Sequence, residues 1–170
     1  QCLNADVDER PHAGESAAEL VPRLALAKAC AGAAQTRFAH PVLGADTEVI
    51  LDGEVLGKPA DVSAAVAMLQ RLSGRDHLVY SAVALAHREQ AVLTSITRVF
   101  FRAMSVEEVG DYCRRGESLD KAGGYGIQGP AAAFIERIEG SYSGVVGLPL
   151  FETAALLSRF GVPMGRSLTY

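Results

Sequence analysis

The stretch LGADTEVILDGEVLGKP, residues 43–59, carries the strongest local structural signals of this chain. Its two apolar runs are typical of strands, and Asp52-Gly53 between them is a strong signal of a two-residue turn, so the stretch predicts a β-hairpin. Asp46 lies inside the first run, and Lys58 is held between a glycine and a proline after the second. A carboxylate in a buried strand is costly unless it is paired, hydrogen-bonded or metal-bound. We therefore expect Asp46 to have a partner.

Two interpretations of that partner stay open from the residues alone. In the first, Asp46 accepts hydrogen bonds from backbone amides or pairs with Lys58, and its role is structural. In the second, Asp46 is a metal ligand or general base, and Lys58 is a fixed positive charge that binds phosphate.

Apolar periodicity, capping residues and turn residues predict the elements around this hairpin. Helices are predicted over residues 18–34, 62–72, 105–115 and 150–160, and Pro22 is compatible with the first of them only in its first turn. Further strands are predicted over residues 77–86, 91–101, 132–138 and 142–146. Because hairpins and helices occur without strict β–α–β alternation, the chain is predicted to be an α/β protein with a mixed twisted sheet flanked by helices.

Composition limits the classes of function. A chain of 170 residues with 49% hydrophobic and 21% charged residues predicts one globular domain over residues 1–170. The net charge of −4 argues against a nucleic-acid partner, which needs a broad cationic surface. No apolar run approaches the roughly 20 residues that cross a bilayer, so no membrane partner is expected. Three widely spaced cysteines predict neither disulfides nor a zinc site and favour a reducing cytoplasm.

A second cluster of chemistry lies in GESLDKAGGYGIQG, residues 116–129. It places Asp120-Lys121 before a glycine-rich loop and Gln128 just before a predicted strand. Glycines let an anionic ligand approach bare backbone amides. Taken alone the loop is weak evidence, because it matches no phosphate-binding or dinucleotide-binding pattern and a glycine-rich turn is often only a turn.

Four stretches together carry a family resemblance: residues 44–59, LSGRDH at 72–77, residues 116–129, and EGSYSGVVGLPL at 139–150. In this order they resemble the Maf family of nucleoside triphosphate pyrophosphatases, over about residues 6–160. The resemblance implies two lobes around a central cleft and hydrolysis of a nucleoside triphosphate to monophosphate and pyrophosphate with Mg²⁺ or Mn²⁺. The loop residues are similar to the branch that acts on dTTP and UTP, and differ from the branch that prefers 7-methyl-GTP. A house-cleaning role follows, and modified pyrimidine triphosphates stay open as substrates.

The resemblance also implies roles for individual residues. The catalytic carboxylate falls on Asp46, with Glu9 as the second acidic residue and metal ligand. Lys28 and Lys58 match the lysines that bind phosphate. Base discrimination falls on Thr47 and Gln128, and Asp120 and Lys121 have a supporting role.

For several of these residues a structural alternative stays open. Lys28 fits a solvated helix face, and Glu9 fits a solvated acidic terminus. Gln128 could cap its own loop, and Asp120-Lys121 could be an internal ion pair. The four histidines lie beside no glycine-flanked nucleophile, so we expect them to be structural or surface residues.

The side-chain amide of Gln128 matches the hydrogen-bonding groups of uracil and thymine. These bases present an O4 acceptor beside an N3–H donor, and a primary amide answers both. Cytosine presents the reverse order, which a flipped amide would also satisfy. Discrimination therefore requires that a neighbour lock the amide, and Thr47 is the candidate.

The sequence departs from the family in one respect. Family members begin with a strand and a Ser-Pro-Arg-Arg element, and no such stretch precedes Glu9. We therefore expect a chain truncated at its N-terminus. Activity should be severely reduced or lost if the real protein lacks the arginines, and the intact protein should be a normal enzyme if this chain is only a clipped fragment. The alternative to an enzyme is a catalytically impaired nucleotide-binding regulator linked to cell division. A nucleoside triphosphate is the expected partner in either case, and a homodimer is left open.

Overall fold

A five-stranded sheet positions the rest of the molecule. The computed structural model describes residues 2–3, 5–37 and 40–163. The strands are Val42–Leu51 (β1), Glu54–Val55 (β2), Asp76–Ala86 (β3), Gln90–Phe101 (β4) and Ile135–Glu139 (β5). Their order across the sheet is β2-β1-β3-β4-β5.

Among the described residues five α-helices flank this sheet, and side-chain caps mark the beginnings of several of them. They are Ala17–Gln35 (α1), Val62–Leu72 (α2), Val106–Arg114 (α3), Tyr142–Val146 (α4) and Leu150–Arg159 (α5). Asp61 accepts a hydrogen bond from the Ala64 N–H at the start of α2, and Ser105 forms a reciprocal capping box with Glu108 at the start of α3. Two short 3₁₀ turns, Ala122–Gly124 and Pro130–Phe134, lie between α3 and β5. None of the described helices is both long and apolar enough to span a membrane.

The two faces of the sheet are covered differently. On one face, α1 packs small residues such as Ala25 and Ala29 against Ala82 and Ala84 of β3. On the other face, larger side chains of α2, α3 and the loops enclose the main core around Val79. Small residues on both sides let α1 approach the sheet closely, and this brings its polar side chains to the edge of β1.

The strand β1 is paired along only one edge for most of its length. It pairs with β3 from Val42 to Ile50, whereas β2 pairs with it only at Ile50 and Leu51. Within the described ranges, residues 42–48 therefore have no ladder partner on the β2 side. A cleft lies along this edge.

The expected α/β class, with a sheet flanked by helices, is confirmed, but the sheet is not mixed. Every strand pairing among the described residues is antiparallel. The crossover through α2 does bring β3 to run in the same direction as β2, as a β–α–β connection predicts. Because β1 lies between them, these two strands never pair.

The hairpins and most helices are confirmed, and three local predictions are wrong. Residues 142–146 form the helix α4 instead of a strand, because the Ser141 hydroxyl caps the Gly144 N–H and Gly147, at φ 122°, ends the turn. Residues 130–134 form a 3₁₀ turn, so β5 begins only at Ile135. Pro22 lies in the second turn of α1. It is tolerated there because the carbonyl that loses its donor belongs to Ala18, which is exposed to water.

Candidate functional site

The open edge of β1 forms one wall of a cleft of about 340 Å³. Residues 45–49 all line it, so residues that belong to both faces of the strand border the same space. The eight residues selected from the sequence all line this cleft: Glu9, Lys28, Asp46, Thr47, Lys58, Asp120, Lys121 and Gln128. The fold thus brings together residues that are up to 119 positions apart in sequence.

Asp46 has a partner, as expected, and the partner is Lys28. The carboxylate is 8% exposed, and its Oδ1 accepts a hydrogen bond of 2.7 Å from the Lys28 Nζ. Glu9 Oε1 lies 2.6 Å from the same Nζ. The pairing of Asp46 with Lys58, one form of the structural interpretation, is therefore wrong, because the ion pair is formed with Lys28. Asp46 Oδ2 is buried and has no hydrogen-bond partner among the described residues.

The Lys28 ammonium lies between two carboxylates with different solvation. Burial raises the pKa of Asp46, against the opposing effect of Lys28. The hydrogen bond from Lys28 lowers the pKa of Glu9, which is largely exposed. Burial acts to lower the pKa of Lys28, but its two carboxylate partners outweigh this effect and the pKa is raised. The solvated-face interpretation of Lys28 is wrong, because its ammonium is held between two carboxylates at the cleft, whereas Glu9 is both solvated and ion-paired with Lys28.

Glu48 is a third carboxylate at this position, and sequence reasoning missed it. It lies two residues after Asp46 in β1, on the same face of the strand. Its Oε2 is buried without a hydrogen-bond partner among the described residues. Burial, with Asp46 and Glu9 as like charges, raises the pKa of Glu48 to about 7. Strand alternation from Asp46 was the signal that could have identified it.

Lys58 stands at the rim of the cleft, where the hairpin leaves the sheet. Its side chain is exposed, and no carboxylate of the described residues forms an ion pair with it. Its charge nevertheless contributes to lowering the pKa of Glu9 and Asp120, so it faces the cleft. The Gly57 carbonyl accepts a hydrogen bond of 2.8 Å from the Gly123 N–H, which joins this part of the hairpin to the glycine-rich loop.

The glycine-rich loop forms the opposite wall. Lys121 Nζ donates to Asp120 Oδ1 at 2.8 Å and to the Glu117 carbonyl at 3.3 Å, so the ion-pair interpretation of Asp120-Lys121 holds. The Glu117 carboxylate lies so close to Gly129 that a Cβ there would overlap it. Gln128 is exposed on the cleft, and its side chain makes no hydrogen bond to any described residue. It therefore does not cap its own loop.

Thr47 does not lock Gln128. Its Oγ1 is hydrogen-bonded at 2.8 Å to the Ser81 Oγ, which lies directly opposite on β3. The expected Thr47–Gln128 contact is therefore wrong. The Thr47 hydroxyl is instead hydrogen-bonded within the sheet, to β3.

A buried aromatic cluster joins the glycine-rich loop, through Tyr125, to the sheet. His77 on β3 is 2% exposed, and its Nε2 lies 2.7 Å from the Tyr125 hydroxyl. Both rings also contact Phe101 edge to face. Burial lowers the pKa of His77 to about 4, so the imidazole is neutral at pH 7. This confirms the structural role expected for His77.

The neutral state of His77 predicts a pH dependence of stability. The unfolded chain binds a proton at His77 near pH 6.5, whereas the folded chain does so only near pH 4. The free energy of unfolding should therefore fall as pH falls between these values, by up to about 1.4 kcal/mol per pH unit from this group. In His77→Gln this contribution should vanish, which urea unfolding of both proteins at several pH values would measure. Equal pH dependence in the two proteins would contradict the assignment.

The carboxylates of the cleft fit a divalent cation only when a bound substrate supplies further oxygen donors. No group of three or more His, Cys, Asp or Glu side chains in the described parts is arranged to hold a metal. The unpartnered buried oxygens of Asp46 and Glu48 are nevertheless the donors that hard cations prefer. Mg²⁺ is typically bound through one or two carboxylates together with substrate phosphates, and this cleft offers that donor set.

Comparison with known proteins identifies the family of this chain. A family model described as Maf-like protein matches residues 1–160. A dTTP/UTP pyrophosphatase of Aromatoleum aromaticum is 52% identical over 166 residues, which cover 95% of this chain and 81% of that protein. Proteins of the same name from Myxococcus xanthus and Bordetella avium are each 54% identical, over 94% and 92% of this chain and 81% of their own lengths. The chain therefore belongs to the Maf-like protein family.

Proposed function

We propose that this protein is a nucleoside triphosphate pyrophosphatase that hydrolyses dTTP and UTP to the monophosphate and pyrophosphate. The observation that carries the proposal is the buried Asp46, with one oxygen bound by Lys28 and the other without a partner, in a cleft lined by further lysines and by Gln128. The relatives described above are named for this activity, and each is similar to this chain over most of its length.

The charge of the cleft explains why a cation is needed. Five carboxylates and three ammonium groups line it: Glu9, Asp46, Glu48, Glu117 and Asp120, with Lys28, Lys58 and Lys121. A nucleoside triphosphate adds about four negative charges. The lysines cannot balance this total, so the triphosphate enters together with a divalent metal, Mg²⁺ or Mn²⁺. Asp46 and Glu9 are the carboxylates that would hold it together with the substrate phosphates.

Asp46 acts as the base for attack on the α-phosphorus. Its Oδ2 is buried and has no hydrogen-bond partner among the described residues, so it is the oxygen left to take a proton from a water that binds beside it with the substrate, while Lys28 holds Oδ1. Burial raises its pKa, which makes it a stronger base than an exposed aspartate. The water oxygen forms a bond to the α-phosphorus as the bond to the bridging oxygen breaks, and pyrophosphate leaves with that oxygen. When bound, the metal lowers the pKa of water and screens charge on the phosphates.

The lysines bind the departing phosphates. Lys58 is exposed at the cleft rim without an ion-pair partner among the described residues, so its ammonium is available to phosphate oxygens. Lys28 can reach a phosphate only if it partly exchanges its bonds to Glu9 or Asp46. Asp120 and Lys121 keep the loop in shape through their ion pair.

The test is direct. The protein is incubated with dTTP, UTP, CTP, ATP and GTP in Mg²⁺ or Mn²⁺, and pyrophosphate and monophosphate are quantified, with a chelator as the control. We expect release of pyrophosphate from dTTP and UTP that stops when the metal is removed. Tight binding of these nucleotides without any product would contradict the proposal and favour the nucleotide-binding regulator. No observation favours that regulator at present.

Gln128 is proposed to bind the edge of the base, so Gln128→Ala should weaken nucleotide binding. Because the unlocked amide can turn to match either uracil or cytosine, we expect kcat/KM to fall by about tenfold for UTP and CTP alike, the value of one lost polar pairing. Gln70→Ala, on the exposed face of α2, is the matched control and should keep the wild-type kcat/KM for both. Unchanged kcat/KM in Gln128→Ala would show that the base is recognised elsewhere.

Three further expectations stay predictions. They are a single domain over residues 1–170, a cytoplasmic location and a homodimer. Nuclear magnetic resonance of the intact chain would test the single domain. Cell fractionation would test the location, and light scattering would test the homodimer.

A further inference from the structure

Thr47 is the outermost member of a chain of hydrogen bonds that runs from the cleft into α4. Its Oγ1 lies 2.8 Å from the Ser81 Oγ, and the Ser81 Oγ lies 2.5 Å from the Gly144 carbonyl oxygen. Ser81 is 1% exposed and is the direct cross-strand neighbour of Thr47 on β3. Water therefore has no access to the inner part of this chain.

The direction of each hydrogen bond follows from the chemistry of the groups. A carbonyl oxygen carries no hydrogen, so Ser81 must donate its only hydroxyl hydrogen to Gly144. The Ser81 oxygen can then only accept, and Thr47 must donate its hydrogen to Ser81. The Thr47 hydroxyl therefore presents only lone pairs to the cleft.

The Gly144 carbonyl is held firmly enough to impose this direction. It accepts a second hydrogen bond of 3.0 Å from the Gly147 N–H, and the Gly144 N–H donates to the Ser141 Oγ at 3.1 Å. Ser141 is in turn anchored to β4, because its N–H donates to Thr97 Oγ1 at 2.9 Å. The end of the chain is thus fixed to the sheet and not to a mobile side chain.

From this geometry we infer that Ser81 is a positioning residue for base selection, because it makes Thr47 a hydrogen-bond acceptor. This inference rests on the proposed function and deepens it. An acceptor on the cleft wall recognises the imide N3–H of uracil and thymine. It repels cytosine, whose N3 is itself an acceptor. Gln128 cannot supply this selection alone, since its amide is free of hydrogen bonds to described residues and can present either group.

The test compares two serines that face each other in the sheet. Ser81→Ala frees the Thr47 hydroxyl to rotate and donate, so cytosine becomes acceptable. Ser95→Ala makes the same change at the residue opposite Ser81 on β4, where the serine is 9% exposed and is not part of the hydrogen-bond chain from Thr47 through Ser81 to Gly144. The kcat/KM ratio of UTP over CTP, and of dTTP over 5-methyl-dCTP, is measured with Mg²⁺. We expect both ratios to fall at least about tenfold in Ser81→Ala and to stay at the wild-type value in Ser95→Ala.

A second pair of variants covers the case in which Ser81→Ala does not fold. Ser81→Cys keeps nearly the same volume but replaces the hydroxyl by a weak donor and acceptor, so it should also lower the ratios. Thr47→Val already removes the oriented hydroxyl. The double variant Thr47→Val with Ser81→Cys should therefore have the same ratios as Thr47→Val alone. A general loss of packing would change kcat/KM for all substrates alike and leave the ratios unchanged.

The outcomes separate the inference from the proposed function. A wild-type chain that releases no pyrophosphate from any of these nucleotides would contradict the proposed function, and the inference with it. A wild-type chain that prefers UTP, together with Ser81 variants that keep this preference, would overturn the inference and leave the proposed function standing.

Discussion

Asp46→Asn should lower kcat for UTP hydrolysis by about 10²- to 10⁴-fold, the usual contribution of a positioned general base. The amide keeps the size of the side chain and still accepts a hydrogen bond from Lys28, but it cannot take a proton from water. Lys28 retains its ion pair with Glu9, so the wall of the cleft should remain in place. Pyrophosphate release at saturating UTP measures the loss, and calorimetry measures whether the nucleotide still binds.

Asp52→Asn is the matched control for this variant. It makes the same chemical change in the turn that follows β1, where the side chain is exposed and asparagine tolerates the positive φ of 53°. We expect wild-type turnover. Normal turnover in Asp46→Asn would remove Asp46 from the chemistry, and loss of its thermal unfolding transition would show that the residue is needed for folding instead.

Gly44→Ala should be the most damaging small substitution in the sheet. Gly44 lies on the face of β1 that contacts α1, and a Cβ there would overlap the Ala25 carbonyl oxygen and the Ala29 nitrogen. These are backbone atoms inside a helix, so no side-chain rotation relieves the overlap. We expect the free energy of unfolding to fall by about 3 kcal/mol, because α1 must move away from the sheet. The melting temperature should fall by about 6 to 12 °C.

Activity should fall as well in Gly44→Ala, because α1 carries Lys28 to Asp46. Gly110→Ala in α3 is the control, since a Cβ there meets only the flexible end of Arg114, 3.2 Å away. That helix should gain about 0.5 to 1 kcal/mol. Urea unfolding measures both variants. Wild-type stability in Gly44→Ala would show that α1 does not lie this close to β1 in solution.

Local signals in the sequence were sufficient for most of the elements. Asp52-Gly53 predicted the hairpin, and both residues have the positive φ that such a turn requires. Asp61 and Ser105 predicted the starts of α2 and α3. The same kind of reasoning failed at residues 142–146, where apolar residues were interpreted as a strand. There the Ser141 cap and the contacts of α4 with the sheet outweigh the β propensity of two adjacent valines.

The candidate site was predicted as a set of residues and not as a set of contacts. Family motifs selected eight residues, and all of them line one cleft. They did not reveal that Asp46 pairs with Lys28, 18 positions away, or that Ser81 lies behind Thr47. Glu48 was missed although it follows Asp46 by two positions, because a glutamate in a strand is usually solvated.

The turns, the caps, the acidic and basic residues and the family could be read from the amino-acid sequence, since each of these depends on neighbours within a few positions or on a motif. The pairing of the charged groups became visible only in the folded chain. The close approach of α1 at Gly44 sets the partner of Asp46, and the register of β1 against β3 sets the partner of Thr47. Hydrogen bonds and ion pairs depend on distances of a few ångströms between chain segments that are far apart in sequence, and no local pattern encodes those distances.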